Sequence, residues 1–191
     1  MSAGNGSPPG AGERQLHTFI AYVEDKPGVL AAVASLFRRR AYNIDSLTVG
    51  RTAVEGVSRM TIVMETDAAS ARLVEANLYK LVNVLRVHDV TNEKPVTRDL
   101  ALIKIKAGIA ERPQVLQIVE VFRAKVVDIA PEALIVEITG TEDKIQGLLD
   151  NLEPFGIMEM VRTGTIAMTR GPQAITVQPP QVQARVRDGE S

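Results

Sequence analysis

Cysteine and tryptophan are absent from this 191-residue chain, and histidine occurs twice. Without cysteine there can be no disulfide framework, thiol nucleophile or thiolate-ligated metal, and the composition suits a reducing compartment. Aromatic residues make up 4% of the chain and apolar residues 45%, so we expect a core built from aliphatic side chains. No apolar run approaches the roughly 20 residues that cross a bilayer, and the net charge of −1 favours neither nucleic acid nor membrane as a partner.

Groups that carry enzyme chemistry are equally scarce. We expect His17 and His88 to be solvent-exposed surface residues. The chain has no glycine-rich phosphate loop, its serines have no histidine partner at a recognisable spacing, and its acidic residues show no metal-ligand spacing. The start also lacks a signal-peptide pattern. We therefore predict a cytoplasmic protein that is not an enzyme and holds no cofactor or metal of its own.

The most informative segment is an acidic turn that contains Pro27 and Gly28. It follows an apolar strand pattern and precedes a helical stripe formed by Leu30, Val33, Ala34 and Phe37. The first turn of a helix has unpaired backbone amides at the positive end of the dipole, and Gly28 leaves them accessible. A carboxylate can bind there while Asp25 receives an ammonium group, which is the pattern of an α-amino-acid sensor. The alternative is an ordinary helix start in which Asp25 is the N-cap.

An internal repeat organises the middle of the chain. The apolar stripe that begins at Leu30 recurs from Val115, an offset of 85 residues (115 − 30 = 85). Each half has the order strand, helix, strand, strand, helix, strand, which is typical of the ferredoxin-like split βαβ fold. We predict an α+β protein made of two tandem βαββαβ domains, with these elements: Thr18–Val23, Val29–Arg39, Asn43–Arg51, Val57–Thr66, Ala69–Leu81, Val84–Val90, Leu100–Lys106, Pro113–Arg123, Lys125–Ile129, Ala133–Thr139, Glu142–Asn151 and Ile157–Met168.

Composition gives the expected boundaries. Residues 1–15 are rich in Gly, Ser, Pro and Ala and are predicted to be disordered, as is the Pro- and Gln-containing tail at 172–191. Residues 16–93 form the first domain, 94–98 the linker and 99–171 the second domain. A single sheet with two helices has a thin core and exposed edges, so we expect a homodimer that pairs sheet edges.

The second half serves as an internal control for the turn. At the same offset, Asp25 and Gly28 are replaced by Ala110 and Pro113, although the core stripe persists. A carboxylate and a glycine that were needed for the fold alone would be expected in both copies. We therefore predict that the first half binds the ligand and that the second does not bind one through this loop.

Four motifs connect the chain to a known family. The Pro-Gly-Val-Leu sequence at 27–30 resembles the ligand loop of an ACT domain, a small module that binds amino acids. Together with Arg40–Gly50, Ser58–Ile62 and Leu78–Val87, it resembles the small regulatory subunits of acetolactate synthase (acetohydroxyacid synthase), and the likeness extends from about Leu16 to Gly171. The run Tyr-Asn-Ile-Asp-Ser-Leu-Thr-Val from Tyr42 is the most specific of these motifs.

The resemblance implies a ligand site shared by two chains. The amino acid would lie on the loop of one ACT domain, opposite a segment from the ACT domain of the partner. The family often has an amide side chain where this chain has Asp25, which can accept from the ligand ammonium but cannot donate to its carboxylate. Val29, Leu30 and Ile44 would complete a small apolar pocket. The full set of expected effector-binding residues is Asp25, Pro27, Gly28, Val29, Leu30, Asn43 and Ile44.

The resemblance also implies a function. The chain would bind the catalytic large subunit of acetolactate synthase, raise its activity and confer feedback inhibition by valine or another branched-chain amino acid. Thiamine diphosphate, FAD and magnesium would belong to the large subunit. The alternative is an amino-acid-sensing module that regulates a different enzyme or regulator, and the two are distinguished by whether the chain captures a thiamine-dependent partner.

Overall fold

The computed structural model describes residues 13–172, 174–175 and 177–178. The disorder predicted for residues 1–12 and for most of the tail lies outside the described residues. The rest of the chain divides into two compact units, of which the first contains residues 13–45 and 49–91 and the second contains residues 46–48 and 92–171. No helix in the described part of the chain is long and apolar enough to span a membrane.

The first unit has the predicted βαββαβ order. Its four strands form an antiparallel sheet in the order β2-β3-β1-β4. Strand β1 lies in the centre, with Phe19 opposite Ile62 of β3 and opposite Asp89 of β4. The elements are β1 (Gln15–Glu24), α1 (Val29–Arg39), β2 (Ser46–Arg51), β3 (Val57–Thr66), α2 (Ala68–Leu78) and β4 (Val84–Asp89).

The buried face of helix α1 overlaps only partly with the predicted one, since Val33 and Phe37 are buried as predicted but Leu30 and Ala34 are not. The buried residues are Val29, Val33, Leu36 and Phe37, whereas Leu30 is 47% exposed. Ala34, the other stripe residue assigned to the core, is also exposed. The helix therefore has a second apolar face, which the core of its own unit does not cover.

The second unit repeats the order with one addition. Its strands follow the order β6-β7-β5-β8, and a short ninth strand also pairs with β5. The helices α3 and α4 cover one face of this sheet, where a cluster of aliphatic residues is fully buried. The elements are β5 (Val96–Lys106), α3 (Arg112–Val121), β6 (Lys125–Ala130), β7 (Ala133–Gly140), α4 (Glu142–Leu152), β8 (Ile157–Arg162) and β9 (Ile166–Met168).

Strand β5 accounts for two differences from the predicted elements. It begins at Val96, so residues 96–98, predicted to be linker, are part of the sheet. The final strand, predicted to be continuous, is broken between β8 and β9. Thr163 bridges the break, because its amide donates to the carbonyl oxygen of Leu100 at 2.9 Å and its hydroxyl accepts from the amide of Leu100 at 3.0 Å. Both pieces therefore remain beside β5.

Candidate functional site

The first helix begins directly after a glycine in the left-handed conformation. Gly28 has a φ of 86°, and among the described residues no side chain caps this helix start. The amide of Val29 lies 3.4 Å from the carbonyl oxygen of Lys26, whereas the first-turn amides of Leu30 and Ala31 have no intrahelical acceptor. A Cβ atom placed on Gly28 would meet nothing within 4 Å, so the space beside Gly28 is open. The arrangement suits a carboxylate ligand.

Asp25 lies beside this helix start but is not its N-cap. Its amide donates to the carbonyl oxygen of Gly56 at 2.8 Å, and its carboxylate lies 3.3 Å from the Nε atom of Arg51. The interpretation of Asp25 as a capping residue is therefore wrong. Both side chains are substantially exposed, so the pair contributes little to stability and remains available to a charged ligand.

Arg51 is a residue of this site that the sequence did not reveal. It ends β2 and is 26 positions beyond Asp25 (51 − 25 = 26), so no local spacing connects the two. A structural clue to its role is its position at the turn between β2 and β3, where the amide of Asp25 donates to the carbonyl oxygen of Gly56. A zwitterionic amino acid needs one partner of each sign, and the Asp25–Arg51 pair provides both.

The preceding residue anchors the turn to the sheet. The carboxylate of Glu24 accepts hydrogen bonds from the side chain of Asn83 and from the ammonium of Lys26, which lies 3.0 Å away. These hydrogen bonds, first the one from Asn83 and then the one from Lys26, hold the pKa of Glu24 below its ordinary value. The turn is thus fixed to the segment before β4 by a carboxylate that is ionised at neutral pH.

The apolar residues predicted for the site differ in how exposed their side chains are. Val29 is 5% exposed and points into the core of its unit, so its side chain does not face the open space at the helix start. Leu30 is exposed beside that start, and so is Pro27. Leu30 and Pro27 are therefore the apolar side chains of the loop that can contact a ligand.

Asn43 and Ile44 lie at the opposite end of the same sheet. The Asn43 amide donates to Asp45 at 3.0 Å, and the amide of Asp45 donates to the carbonyl oxygen of Val63 on β3. From Gly56, which contacts Asp25, to Val63 is seven residues of extended chain (63 − 56 = 7), or about 23 Å. One chain therefore does not bring the loop and Asn43 together around a small ligand.

The two edges of the first sheet are unequal. On the β4 edge, the Tyr79 hydroxyl donates to the carbonyl oxygen of Val87 at 2.9 Å and accepts from its amide at 3.0 Å. The other edge is β2, which has no neighbouring strand on its outer side among the described residues. Val49 is 43% exposed on this strand, and Gly50 and Arg51 are exposed as well. The end of β2, from Val49 to Arg51, is therefore the part of this edge that is exposed to a further strand.

The corresponding loop of the second unit is closed by its own side chain. Arg112, which takes the place of Pro27 in the repeat, donates to the carbonyl oxygens of Ala107, Ala130 and Pro131 at 3.2, 2.7 and 2.9 Å. The residue before α3, Glu111, has a φ of −85° rather than the left-handed conformation of Gly28. The open helix start of the first unit thus has no counterpart in the second.

His17 contradicts the expectation of a surface histidine. It is 3% exposed, stacks on Phe19, and its Nδ1 atom lies 3.0 Å from a carboxylate oxygen of Asp89. Thr91 is also within 3.4 Å of Nδ1. The second ring nitrogen lies 3.4 Å from the side-chain amide of Gln15 rather than from a hydroxyl, so the cluster is not arranged as a catalytic triad. Within the described residues, no group of three or more His, Cys, Asp or Glu is placed to hold a metal.

Comparisons with known proteins give matches to small subunits of acetolactate synthase. Residues 19–86 match the ACT domain of acetohydroxyacid synthase small subunits, and residues 98–171 match the small subunit of acetolactate synthase. The acetolactate synthase small subunit of Mycobacterium bovis is 47% identical over 159 residues, which are 83% of this chain and 95% of the relative. The small subunit of Mycolicibacterium smegmatis is 46% identical over 83% of this chain and 94% of its own length.

A solved structure agrees with these matches. The crystal structure of the acetolactate synthase small subunit from Thermotoga maritima has a TM-score of 0.78 and 37% sequence identity. The similarity covers 83% of this chain and 99% of that one, and thus includes both βαββαβ units. The α+β fold with an ACT domain is therefore confirmed, and the chain belongs to the acetolactate synthase small-subunit family.

Proposed function

We propose that this chain is the non-catalytic regulatory subunit of acetolactate synthase. In this role it binds the catalytic large subunit, raises its activity and makes it sensitive to feedback inhibition by valine, in the pathway to valine, leucine and isoleucine. Family membership supports the role, since the relatives are named as small subunits of this enzyme. Thiamine diphosphate, FAD and magnesium are held by the large subunit, and both subunits act in the cytoplasm.

The open start of α1 is the observation that carries the effector assignment. An α-amino acid can place its carboxylate on the first-turn amides of Leu30 and Ala31, next to Gly28. Its ammonium then pairs with Asp25, and Arg51 adds a second contact to the carboxylate. The exposed side chain of Leu30 contacts a branched aliphatic group such as that of valine.

A homodimer completes this site. When β2 pairs with the β2 of a second copy about a two-fold axis, the strands are antiparallel, and the start of one lies beside the end of the other. The partner's Asn43–Ile44 segment, which precedes β2, then reaches the end of the sheet where Asp25 and Gly28 lie. Tyr79 closes the β4 edge, which leaves β2 for this pairing. The exposed apolar face of α1, with Leu30 and Ala34, lies above the same edge.

Reconstitution tests the function. The purified chain should form no acetolactate from pyruvate, and it should capture the large subunit from a mixture of purified thiamine-dependent enzymes. Adding it to the large subunit should raise turnover and make turnover sensitive to valine. Turnover by the chain alone would overturn the regulatory assignment. Failure to capture the large subunit would favour a sensor that acts on a different enzyme.

A further inference from the structure

Strand β2 belongs partly to each compact unit. Its first three residues, 46–48, are grouped with the second unit, whereas its end, from Val49, is grouped with the first. The two residues assigned to the partner side of the effector site, Asn43 and Ile44, come just before this strand in the sequence. Contacts that fix the start of β2 therefore also limit where Asn43 and Ile44 can lie.

The connection between β8 and β9 holds the start of β2 by a hydrogen bond. The amide of Thr165 donates to the hydroxyl of Ser46 at 2.8 Å, although the two residues are 119 positions apart in the sequence. Both residues are half-buried, so water competes for this bond less than it would at an open surface. The bond ties the first residue of β2 to a backbone group of the second unit.

Gly164 makes this contact unusually close. A Cβ atom built on Gly164 would lie 2.4 Å from the hydroxyl of Thr48 and 2.8 Å from that of Ser46. It would also lie 3.1 Å from the carbonyl oxygen of Leu47. Gly164 is not among the described residues with positive φ, so glycine is needed here for space and not for backbone conformation. Any larger residue must displace the start of β2.

The residue before Ser46 is anchored in the other direction, to β3 of the first unit. The amide of Asp45 donates to the carbonyl oxygen of Val63 at 2.9 Å, and its carboxylate accepts from the amide of Glu65 at 2.8 Å. The same carboxylate accepts from the side chain of Asn43 at 3.0 Å. Asp45 is exposed, so these bonds alone leave the segment accessible to water. The contacts at Ser46 add a second anchor one residue later.

We propose that Gly164 and Thr165 are positioning residues for the effector site. They act through Ser46, which keeps Asn43 and Ile44 in the arrangement that meets the ligand, and they do not touch the ligand themselves. A segment that is already ordered loses less conformational entropy when the ligand binds, so its loosening lowers affinity without removing a contact. The inference rests on the proposed function, because Asn43 and Ile44 are effector residues only there.

Gly164→Ala in the full chain tests this positioning. The added methyl group displaces the start of β2, so we expect the amides of Asp45 and Glu65 to exchange hydrogen at least tenfold faster. Amides of β7, in the centre of the second sheet, should exchange at an unchanged rate. Calorimetry should show valine affinity at least tenfold lower, with unchanged circular dichroism. Unchanged exchange at Asp45 and Glu65 would overturn the proposal, as would faster exchange with unaltered valine affinity.

Thr48→Ala provides both a matched control and a rescue. The Thr48 hydroxyl is buried and makes no hydrogen bond within the described part of the chain, so its removal alone should leave exchange and valine affinity unchanged. In Gly164→Ala/Thr48→Ala the nearest of the obstructing atoms is gone, and part of the protection and of the valine affinity should return. Equal exchange in the single Gly164→Ala and double variants would contradict the steric cause.

The two proposals fail separately in these measurements. A lack of valine binding by the unchanged chain would contradict the proposed function. Hydrogen exchange needs no ligand, so it would still decide whether Gly164 positions the start of β2.

Discussion

The Tyr79 hydroxyl satisfies both backbone hydrogen-bonding groups of Val87, since it donates to the carbonyl oxygen and accepts from the amide of that residue. This double hydrogen bond makes the β4 edge unavailable to a further strand. Tyr79 is itself 48% exposed, so its role in the first unit is at the sheet edge rather than in the core.

Tyr79→Phe should therefore uncover the β4 edge without changing the effector site. We expect a loss of about 1 kcal/mol in the free energy of unfolding, because two hydrogen bonds are exchanged for bonds to water. Urea denaturation measures this loss, and concentration-dependent light scattering should reveal association through the freed edge. Valine affinity should be unchanged. A large fall in valine affinity would show that the dimer uses β4 and not β2.

Gly28→Asp should weaken valine binding at least tenfold, about 1.4 kcal/mol. The new carboxylate repels that of the ligand and competes for the open amides of α1. Any side chain at a φ of 86° is strained, so the change needs a matched control. Gly28→Asn has nearly the same shape without the charge, and it carries similar backbone strain because asparagine and aspartate enter this region with similar ease.

Calorimetry should rank valine affinity as unchanged chain, then Gly28→Asn, then Gly28→Asp. Pro113→Asp, the corresponding change in the second unit, should leave it unaltered because Arg112 already closes that loop. Equal affinities for the Asp and Asn variants would show that backbone strain, and not charge at the helix start, controls the binding.

Glu24 gives a pH dependence with a definite sign. Hydrogen bonds from Asn83 and Lys26 lower its pKa in the folded chain below the ordinary value of 4.5. Its contribution to stability is therefore complete above pH 4.5 and is lost as the pH falls through the lowered folded value. Carboxyl NMR titration should place the midpoint of Glu24 below 4.5, and Asn83→Ala should move it upward. A midpoint unaffected by Asn83→Ala would remove Asn83 as the main cause.

Valine and dimerisation should be coupled if each ligand touches two chains. We expect valine to strengthen the dimer by 1–3 kcal/mol, and Asn43→Ala to reduce both valine affinity and this coupling. Asn43 is exposed and donates to Asp45, so the variant should fold normally. Sedimentation with and without valine measures the effect. A valine-independent dimer constant would contradict the shared site.

The sequence predicted the order of elements correctly, but it did not predict which face of α1 is buried. The helix begins with Val-Leu-Ala-Ala-Val-Ala-Ser-Leu-Phe, in which two overlapping apolar stripes have helical spacing. The stripe that contains Leu30 is as regular as the one that contains Val29 and Leu36. In the proposed assembly the dimer edge lies beside this helix, so one stripe packs in the core of its own unit and the other can contact the partner. Periodicity in a single chain cannot show which stripe faces the core.

The remaining errors involve contacts between residues far apart in the sequence. His17 is buried because Asp89, 72 positions later (89 − 17 = 72), supplies its hydrogen bond across the sheet. Arg51 joins the candidate site for the same reason, through its ion pair with Asp25 near the turn at Gly56. The uncapped helix start at Gly28, by contrast, could be predicted locally, since only the missing side chain and the place before a helix were needed.

Subunit complementation tests the central claim, that each effector site combines the loop of one chain with Asn43 of the other. Chains carrying Gly28→Asp and chains carrying Asn43→Ala are each expected to bind valine poorly. In a mixed dimer, one site contains both changes and the other contains neither. Mixing the two variants and allowing exchange should therefore restore high-affinity valine binding at one site per mixed dimer, as measured by calorimetry. If mixing restores no high-affinity binding while mixed dimers are present, the site lies within a single chain and the account is wrong.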